Sequence, residues 1–518
     1  MLTALAKFKN MHALFWLLLA VAAWVRYQGL LDFCLDWDEA NALAQARLPF
    51  SKVIPMVLNW DMHPPGLHLL LHGWIKLWGE SDLSVRLFAW FFGMLGIIGT
   101  YCLALRLTAS KPIAWITMLL SIASPMLWRY SQLSTTYVVE YAAVMFSFLF
   151  LFNLIQNQQF SIRHHTFWLY VTATLVLLWA HSLGPVILVL QGSYLWLVRK
   201  KLPPLFLKQW LVLAGIILLP NLYHIWLNLQ PWSLANTLEQ QEIHQSAPFW
   251  MFLLAPVNLM LLGYDIRDAG NVPAPPVLLA YSIAGYGLLV WAWNIFKKSF
   301  SVEIQQLVLC LGVLPIIVLY LGSLAFSLPV FHFRTLLYCL AAFHLLLATL
   351  VINYWQIPAK KPVALAVVAL VVFLQIFPVF KRPLQEDPWR YLAQQIQKDI
   401  QPEDGVVIYP GWNHIALMRY LDPKHFGLTP WELSHNPENE NYHHMFHGES
   451  DKYFLVSGDD VLQRPDIAIR FDAFQQKHKR IWLVGHSLTL VQMLRCDTRF
   501  MTLGPNGKLY PATCYGPS

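Results

Sequence analysis

Charge is scarce in this chain. Only 13% of its 518 residues are Asp, Glu, Lys or Arg, against about a quarter in soluble domains, so an ordinary soluble enzyme is excluded. Cysteine is scarce too. Cys34, Cys102, Cys310, Cys339, Cys496 and Cys514 are scattered, without the short paired spacing that zinc or iron–sulfur sites need. No P-loop, dinucleotide fingerprint, internal repeat or regular Gly period is present, which removes the common nucleotide-binding and solenoid classes. Apolar residues are abundant: 57% of the chain is hydrophobic and 14% aromatic, too much apolar surface for a disordered or collagenous protein. The mean hydropathy of +0.46 points into a bilayer. The formal charge of +7 does not imply nucleic acid as a partner, because cytoplasmic loops of membrane proteins collect Lys and Arg for orientation alone.

Apolar runs long enough to cross the hydrocarbon core begin near Met11, Leu83, Pro112, Thr136, Thr166, Pro185, Lys208, Val277, Ile304, Phe333 and Pro362, which predicts about eleven membrane helices. Lys7 and Lys9 precede the first run as in a signal peptide, but no small-residue cleavage site follows, and an uncleaved first helix is expected. With the N-terminus cytoplasmic, the even-numbered connections hold Arg106 and Lys111, Arg163, Arg199 to Lys208, Lys297 and Lys298, and Lys360 and Lys361. That bias puts them inside and residues 381–518 outside, in the periplasm or its equivalent beyond the inner membrane. The outward connections are then 32–81, 129–134, 181–184, 230–276 and 327–332. Within the first, an amphipathic stretch over 39–59 precedes an apolar one over 65–78 that is too short to span and reads as interfacial; 249–264 reads the same way.

From residue 381 the composition becomes that of a soluble domain of about 138 residues, enough to build its own core. Helix-like 389–400 and the short apolar runs 406–409, 453–456 and 481–484 predict a small α/β domain; 429–450 reads as loop. Cys102, Cys310 and Cys339 fall in apolar runs as packing residues, while Cys496 and Cys514 could pair if that domain is exported.

The first outward loop holds three carboxylates, Asp36, Asp38 and Glu39, just after the first span. The plain reading is a solvated helix start capped by Asp38. The loop ends Asp61-Met62-His63-Pro64-Pro65, where two prolines fix the chain and hold His63 near the membrane surface. Arg129, Tyr130 and Gln132, Tyr137 and Glu140, His181, and His332 and Arg334 lie at the outer ends of other spans. Ionisable groups so close to hydrocarbon cost several kcal/mol, about 2.5–3.5 on insertion scales, unless they are paired or face water. Any one of them could snorkel or pair structurally; their agreement on one leaflet predicts a polar cavity there.

The run Asp38-Glu39-Ala40, the segment His63-Pro64-Pro65-Gly66-Leu67-His68-Leu69-Leu70-Leu71-His72 and the run Ser81-Asp82-Leu83-Ser84-Val85-Arg86-Leu87 resemble the opening of the polyprenyl-phosphate-sugar-dependent membrane glycosyltransferases. These are GT-C fold enzymes that include the protein O-mannosyltransferases and the lipid A aminoarabinose transferases. The likeness continues through Ser124-Pro125, Tyr130-Ser131-Gln132, His181, Arg334 and residues 389–408, and so covers most of the chain. It implies a polytopic all-α membrane domain of GT-C type over 1–380, its active site on the loop 32–81, and a C-terminal soluble α/β domain over 381–518. It implies Asp38 as the base that activates the acceptor, with Glu39 beside it, and His63, Gln132, Tyr137, His181 and Arg334 on the donor phosphate. A fixed carboxylate suits proton abstraction, and planar Arg donors suit phosphate. One departure matters: relatives commonly follow the Gln with Glu, Ala, Arg and then Tyr, whereas Gln132 is followed by Leu133, Ser134, Thr135, Thr136 and Tyr137, and Thr335 stands where a Tyr often follows the Arg. Glu140 could replace the missing acid or make a buried structural bond.

The expected activity is transfer of a sugar from a polyprenyl-phosphate donor to a lipid, glycan or protein acceptor on the outer side of the membrane. The competing readings are a transporter or flippase of lipid-linked sugars, disfavoured because the polar residues sit at one face and no related halves are seen, and a catalytically inactive relative that binds the donor. No cofactor is fixed by the sequence. A divalent metal ion could sit among Asp38, Glu39 and His63 if the loop folds them together, although adjacent side chains diverge in a helix.

Overall fold

A computed structural model describes residues 2–61, 63–158, 160–228, 249–259, 275–326, 331–380, 388–408, 414–423, 426, 448–449, 453–455, 465–484, 500–503 and 509–512. Helices over the first half are α1 (Leu2–Tyr27), α2 (Trp37–Ala46), α3 (Phe50–Trp60), α4 (Gly66–Trp78), α5 (Asp82–Thr108), α6 (Lys111–Ala123), α7 (Pro125–Tyr130), α8 (Thr136–Gln156), α9 (His165–Ala180), α10 (Gly184–Val198) and α11 (Phe206–Asn228). Then follow α12 (Phe249–Val257), α13 (Pro275–Ser299), α14 (Val302–Gly312), α15 (Leu314–Phe326), α16 (Cys339–Trp355), α17 (Lys361–Phe380), α18 (Pro388–Asp399), α19 (His414–Leu421) and α20 (Pro465–Lys477). Each long apolar run expected to span is helical over most of its length. Among the described residues, four stretches are long and apolar enough to cross a membrane: Asp82–Thr108, Thr136–Gln156, Phe206–Trp226 and Val302–Ala325.

Several boundaries differ from those expected. The third run does not continue through 124: α6 stops at Ala123 and α7 starts at Pro125, with the Ser124 hydroxyl accepting from the Leu127 N–H. The tenth opens with a single 3-10 turn, Phe333–Leu336, and becomes α-helical only at Cys339. The amphipathic stretch 39–59 is two helices, α2 and α3. The cap of α2 is Asp36, two residues earlier than Asp38. Cys496 and Cys514, most of the stretch 429–450 expected as loop and most of the connection 230–276 lie outside the described residues; within 429–450, Gly448–Glu449 is a short strand and not loop, because it pairs with Phe454 and Leu455.

The chain divides into two compact units, Met1–Leu30, Val57–Leu70 and Leu83–Arg382 in the first, and Leu31–Met56, Leu71–Asp82 and Pro383–Ser518 in the second. In the first, the break between α6 and α7 has a specific repair. Pro125 has no N–H to offer the Ser121 carbonyl one turn back. Arg26 of α1, with no exposed surface, supplies the missing donors: its guanidinium reaches Ser121 O at 2.9 Å, Ile122 O at 3.4 Å and Ser131 Oγ at 3.2 Å. Gln132 answers in return, its amide donating to the C-terminal carbonyls of α1 at Arg26 (3.0 Å) and Gln28 (2.6 Å). Helix α5 packs through Gly93, Gly96 and Gly99, where an added Cβ would overlap Ser131, the Tyr141 ring and Met145 respectively. Such small-residue stripes let helix backbones approach closely where no hydrophobic force drives helices together. At the far ends of these helices Arg106 donates to Asn153 Oδ1 at 2.6 Å and Lys201 pairs with Glu303, so basic residues at the ends of α5 and α10 meet the end of α8 and the start of α14.

The second unit contains a four-stranded sheet of order β2-β3-β1-β4: β1 (Asp404–Ile408), β2 (Gly448–Glu449), β3 (Tyr453–Leu455) and β4 (Arg480–Val484). The central β1 pairs in parallel with both β3 and β4, Val406 facing Tyr453 on one side and Trp482 on the other, while β2 is an antiparallel edge. Alternation sorts the strand residues. Val406, Ile408, Tyr453, Leu455, Trp482 and Val484 join Leu392, Ile396, Leu417 and Met418 of α18 and α19, while Phe454 turns to Phe471 and Phe474 of α20. A hairpin of β5 (Phe500–Leu503) and β6 (Leu509–Ala512) forms a separate two-stranded sheet. Asp404 locks β1 to β4: buried, it accepts from Arg480 Nε at 3.0 Å, Trp482 Nε1 at 3.0 Å and the Gln401 N–H at 2.8 Å. Burial alone would raise the Asp404 carboxyl; Arg480 and these N–H donors outweigh it and hold it below the ordinary carboxylate value.

Segments of the connection 32–81 belong to this second unit and are held by Asp82. Its carboxylate accepts from Arg419 Nε at 3.2 Å, from an Arg390 guanidinium nitrogen at 3.3 Å and from the Tyr420 hydroxyl at 2.8 Å. Beside it Arg47 pairs with Glu80 at 2.7 Å and donates to the Phe426 carbonyl at 2.6 Å. His72 bonds the Ala46 carbonyl at 2.8 Å, joining α4 to α2, and α4 ends at Gly79, whose φ of +78° is the left-handed helix stop that glycine permits.

Two outcomes follow. Gly96→Ala forces the Tyr141 ring away from α5 and costs about 1–3 kcal/mol, read as a lowered Tm of the detergent-solubilised protein. Asp404→Asn leaves Arg480 and Trp482 donors poorly satisfied at about 1–3 kcal/mol, read as faster amide exchange across β1 and β4. In the wild type the Asp404 contribution is complete above its unfolded value of about 3.9 and disappears as pH falls through the lower folded value; the Asn variant shows no such acid limb.

Candidate active site

The expected donor-side residues come from four separate parts of the first unit. His63 lies in the turn between α3 and α4; Tyr137 is in the first turn of α8; His181 follows α9; Arg334 sits in the 3-10 turn before α16. Their rings and charges meet. The His63 and His181 rings are 4.6 Å apart between centroids, Tyr137 lies 5.3 Å from His181, and the Arg334 guanidinium stands 5.0 Å over the Tyr137 ring. This end of α8 and α9 is opposite to the end where Arg106 meets Asn153.

Local structure explains how His63 is held. The Asp61 carboxylate accepts the His63 N–H at 2.7 Å and lies 3.6 Å from His68 Nε2, while His224 Nε2 of α11 lies 3.3 Å from the Asp61 carbonyl. Pro64 and Pro65 restrict the turn, and α4 begins at Gly66. A Cβ on Gly66 would overlap the Trp179 backbone, so this glycine lets α4 lie directly on the end of α9, two residues before His181. Ser182 completes the join, its Oγ 3.1 Å and its N–H 3.5 Å from His63 Nδ1.

The protonation pattern follows. His181 Nδ1 accepts the Leu183 N–H at 3.0 Å, which places the imidazole proton on Nε2. That Nε2 is buried and has no hydrogen-bond partner among the described residues. Burial pushes the His63 imidazole down to about 4 and, with the neighbouring His63 and Arg334, pushes His181 well below its ordinary value. Both rings are therefore neutral at pH 7, and Arg334 carries the positive charge of the group. A neutral N–H donor without an acceptor, beside a guanidinium, is an arrangement suited to an anionic oxygen.

Gln132 goes elsewhere. Its amide nitrogen is committed to the end of α1, although its buried Oε1 has no partner. Glu140 is buried one turn along α8 with an unpartnered Oε1. Asp38 and Glu39 are in the second unit, on the first turn of α2. There Asp36 Oδ1 accepts the Glu39 N–H at 2.8 Å and Glu39 Oε2 accepts the Asp36 N–H at 3.2 Å, a reciprocal capping box. Glu39 is wholly buried, whereas Asp38 is half-buried beside it. The positive end of α2 favours an ionised Asp38.

Sequence reasoning missed Asp61, Gly66, Ser182 and His224 as parts of the His63 setting. A His in the apolar run of α11 was the available signal for His224; Ser182 offered none. Among the described residues no group of three or more His, Cys, Asp or Glu side chains gathers to hold a metal ion. The Glu39 carboxylate is engaged in its capping box through Oε2.

In Gly66→Ala, α4 is lifted from Trp179 and His63 leaves His181. Nitrogen-15 spectra of histidine-labelled protein in lipid are expected to show His63 neutral from pH 8 to pH 5 in the wild type, and titrating near its ordinary value of about 6.5 in the variant.

No family model matches the sequence, and no curated protein matches it. Solved structures do. The chain is similar to ArnT from Cupriavidus metallidurans in the apo state, with a TM-score of 0.51 and 14% identity over 79% of this chain and 85% of that one. It is also similar to ArnT from the same organism bound to undecaprenyl phosphate (TM-score 0.47, 14% identity, 78% and 84% covered). A third is the Archaeoglobus fulgidus oligosaccharyltransferase in complex with Zn and sulfate (TM-score 0.47, 13% identity, 78% and 61% covered). The similarity to apo ArnT shows a shared architecture, and the fold of this chain is the GT-C fold.

Proposed function

We propose that the protein is an integral membrane glycosyltransferase that moves a sugar from a polyprenyl-phosphate carrier to a lipid, glycan or protein acceptor on the outer side of the inner membrane. The observation that carries this reading is the buried His181 Nε2–H, without a partner among the described residues, beside His63, Tyr137 and Arg334. A donor phosphate is the chemistry that satisfies it. The GT-C fold and ArnT's undecaprenyl phosphate complex support a lipid-linked donor. Sidedness rests on charge: the Lys- and Arg-bearing connections are cytoplasmic in this reading, the His181 end of α9 is outward, and residues 381–518 are extracytoplasmic.

The acceptor oxygen attacks the anomeric carbon while the bond from that carbon to the phosphate oxygen breaks. Asp38 takes the acceptor's proton, and the departing polyprenyl phosphate keeps the electron pair. Arg334 neutralises the charge that develops on it, and His181 and His63, held neutral, add hydrogen bonding without raising the local charge further. Tyr137 carries Arg334 on its ring face. Gln132 acts on the donor side through the end of α1 rather than through its amide nitrogen.

The test is transfer of labelled sugar from a panel of polyprenyl-phosphate sugars by purified protein in lipid. Asp38→Asn is expected to abolish turnover with donor binding kept, and Arg334→Ala to lower kcat by about 10²–10³-fold. Donor binding without turnover in the wild type sinks the transferase in favour of an inactive relative, and loss of both favours a transporter.

A further inference from the structure

The residue just before the α2 cap has an unusual partner. The Leu35 N–H donates to the Tyr420 hydroxyl at 2.8 Å across 385 positions of sequence. The same hydroxyl donates to Asp82 Oδ2 at 2.8 Å. Asp82 also accepts from Arg390 and Arg419, and the phenol proton is turned toward it. A lone pair is thereby left facing Leu35. Burial and the Asp82 charge push the Tyr420 phenol up, keeping it protonated.

Consecutive backbone donors at the head of α2 are thus fixed from different directions. Leu35 is tied to Tyr420, and Asp36 and Glu39 are tied to each other. Asp38 follows three residues after Leu35, on a helix of ten residues. A rotation or shift at Leu35 therefore moves Asp38 directly. The Arg390 guanidinium packed on the Tyr420 ring, 5.4 Å from its centroid, leaves the phenol little freedom.

We propose that Tyr420, oriented by Asp82, is a positioning residue that fixes the start of α2 and so sets where the Asp38 carboxylate stands in the transfer reaction. This rests on the reading of Asp38 as the acceptor base. It assigns the C-terminal segment a direct part in the acceptor side of the chemistry, through α18 and α19, and it makes the donor side independent of it. Removing the phenol oxygen leaves the donor-phosphate residues of the first unit untouched, so the loss falls on kcat and not on donor KM.

Full-length wild type, Tyr420→Phe, Asp82→Asn, Asp38→Asn and the Tyr420→Phe/Asp38→Asn double variant are compared in lipid at matched Tm. Amide exchange at Leu35 is expected to accelerate about tenfold in Tyr420→Phe, and kcat to fall by about ten- to a hundredfold, the scale of a misplacement near 1 Å, with donor KM within about twofold. Asp82→Asn, which keeps the shape and loses the charge, falls between; it also serves if the phenylalanine variant does not fold. In the Asp38→Asn background the further loss from Tyr420→Phe is expected to vanish. Unchanged Leu35 exchange, an unchanged kcat, or an equal loss in both backgrounds overturns the positioning role. Absence of wild-type turnover with Leu35 exchange still responding overturns the transferase reading instead.

Discussion

In hydrocarbon there is no water to satisfy a backbone group, and an unpaired carbonyl costs several kcal/mol, about 4–8 on the strictest transfer scale. The interruption between α6 and α7 is tolerable because Arg26 stands in for the N–H that Pro125 lacks. A fully buried guanidinium is itself expensive, and it too needs acceptors; the freed carbonyls of Ser121 and Ile122 are those acceptors. The helix break and the arginine are therefore each other's condition. Gln132 closes the exchange at the end of α1, which fixes the turn from which α8 starts and, with it, Tyr137.

The charged and donor groups of the candidate site are divided between two folding contexts. Cationic and neutral donors, Arg334, His63 and His181, are fixed in the first unit by helix contacts that leave no room for a side chain, as at Gly66 against Trp179. Asp38 lies in the second, on a helix whose head is held by the Asp36–Glu39 capping box and by the Leu35–Tyr420 bond.

Much of this was legible in the sequence. Apolar runs located the helices because length and hydropathy are enough to define a span, and the parallel strands at Val406, Tyr453 and Ile481 showed as short apolar runs between helical stretches. The convergence of His63, Tyr137, His181 and Arg334 followed from their shared position at one set of helix ends. The cap of α2 was misplaced because Asp36 and Asp38 are equally good capping types, and only the reciprocal bond to Glu39 three residues on decides between them. The Asp82 cluster was visible only as part of a motif. Pairing it with Arg390, Arg419 and Tyr420 needs contacts across more than three hundred positions, which no local pattern encodes. Ser124-Pro125 was seen, but that a helix would end there, with an arginine from α1 as substitute donor, depends on packing alone.

The bond from Leu35 to Tyr420 also sets an order of events during synthesis. The first outward loop leaves the ribosome early, yet the head of α2 has no partner for its leading N–H until residue 420 has been made and α19 has folded. A nascent chain that has passed residue 380 but not residue 420 carries the helices of the first unit with the head of α2 unfinished. Synthesis past residue 420 is in this sense the step that completes the head of α2, and a product truncated before it would leave the Leu35 N–H without the Tyr420 hydroxyl.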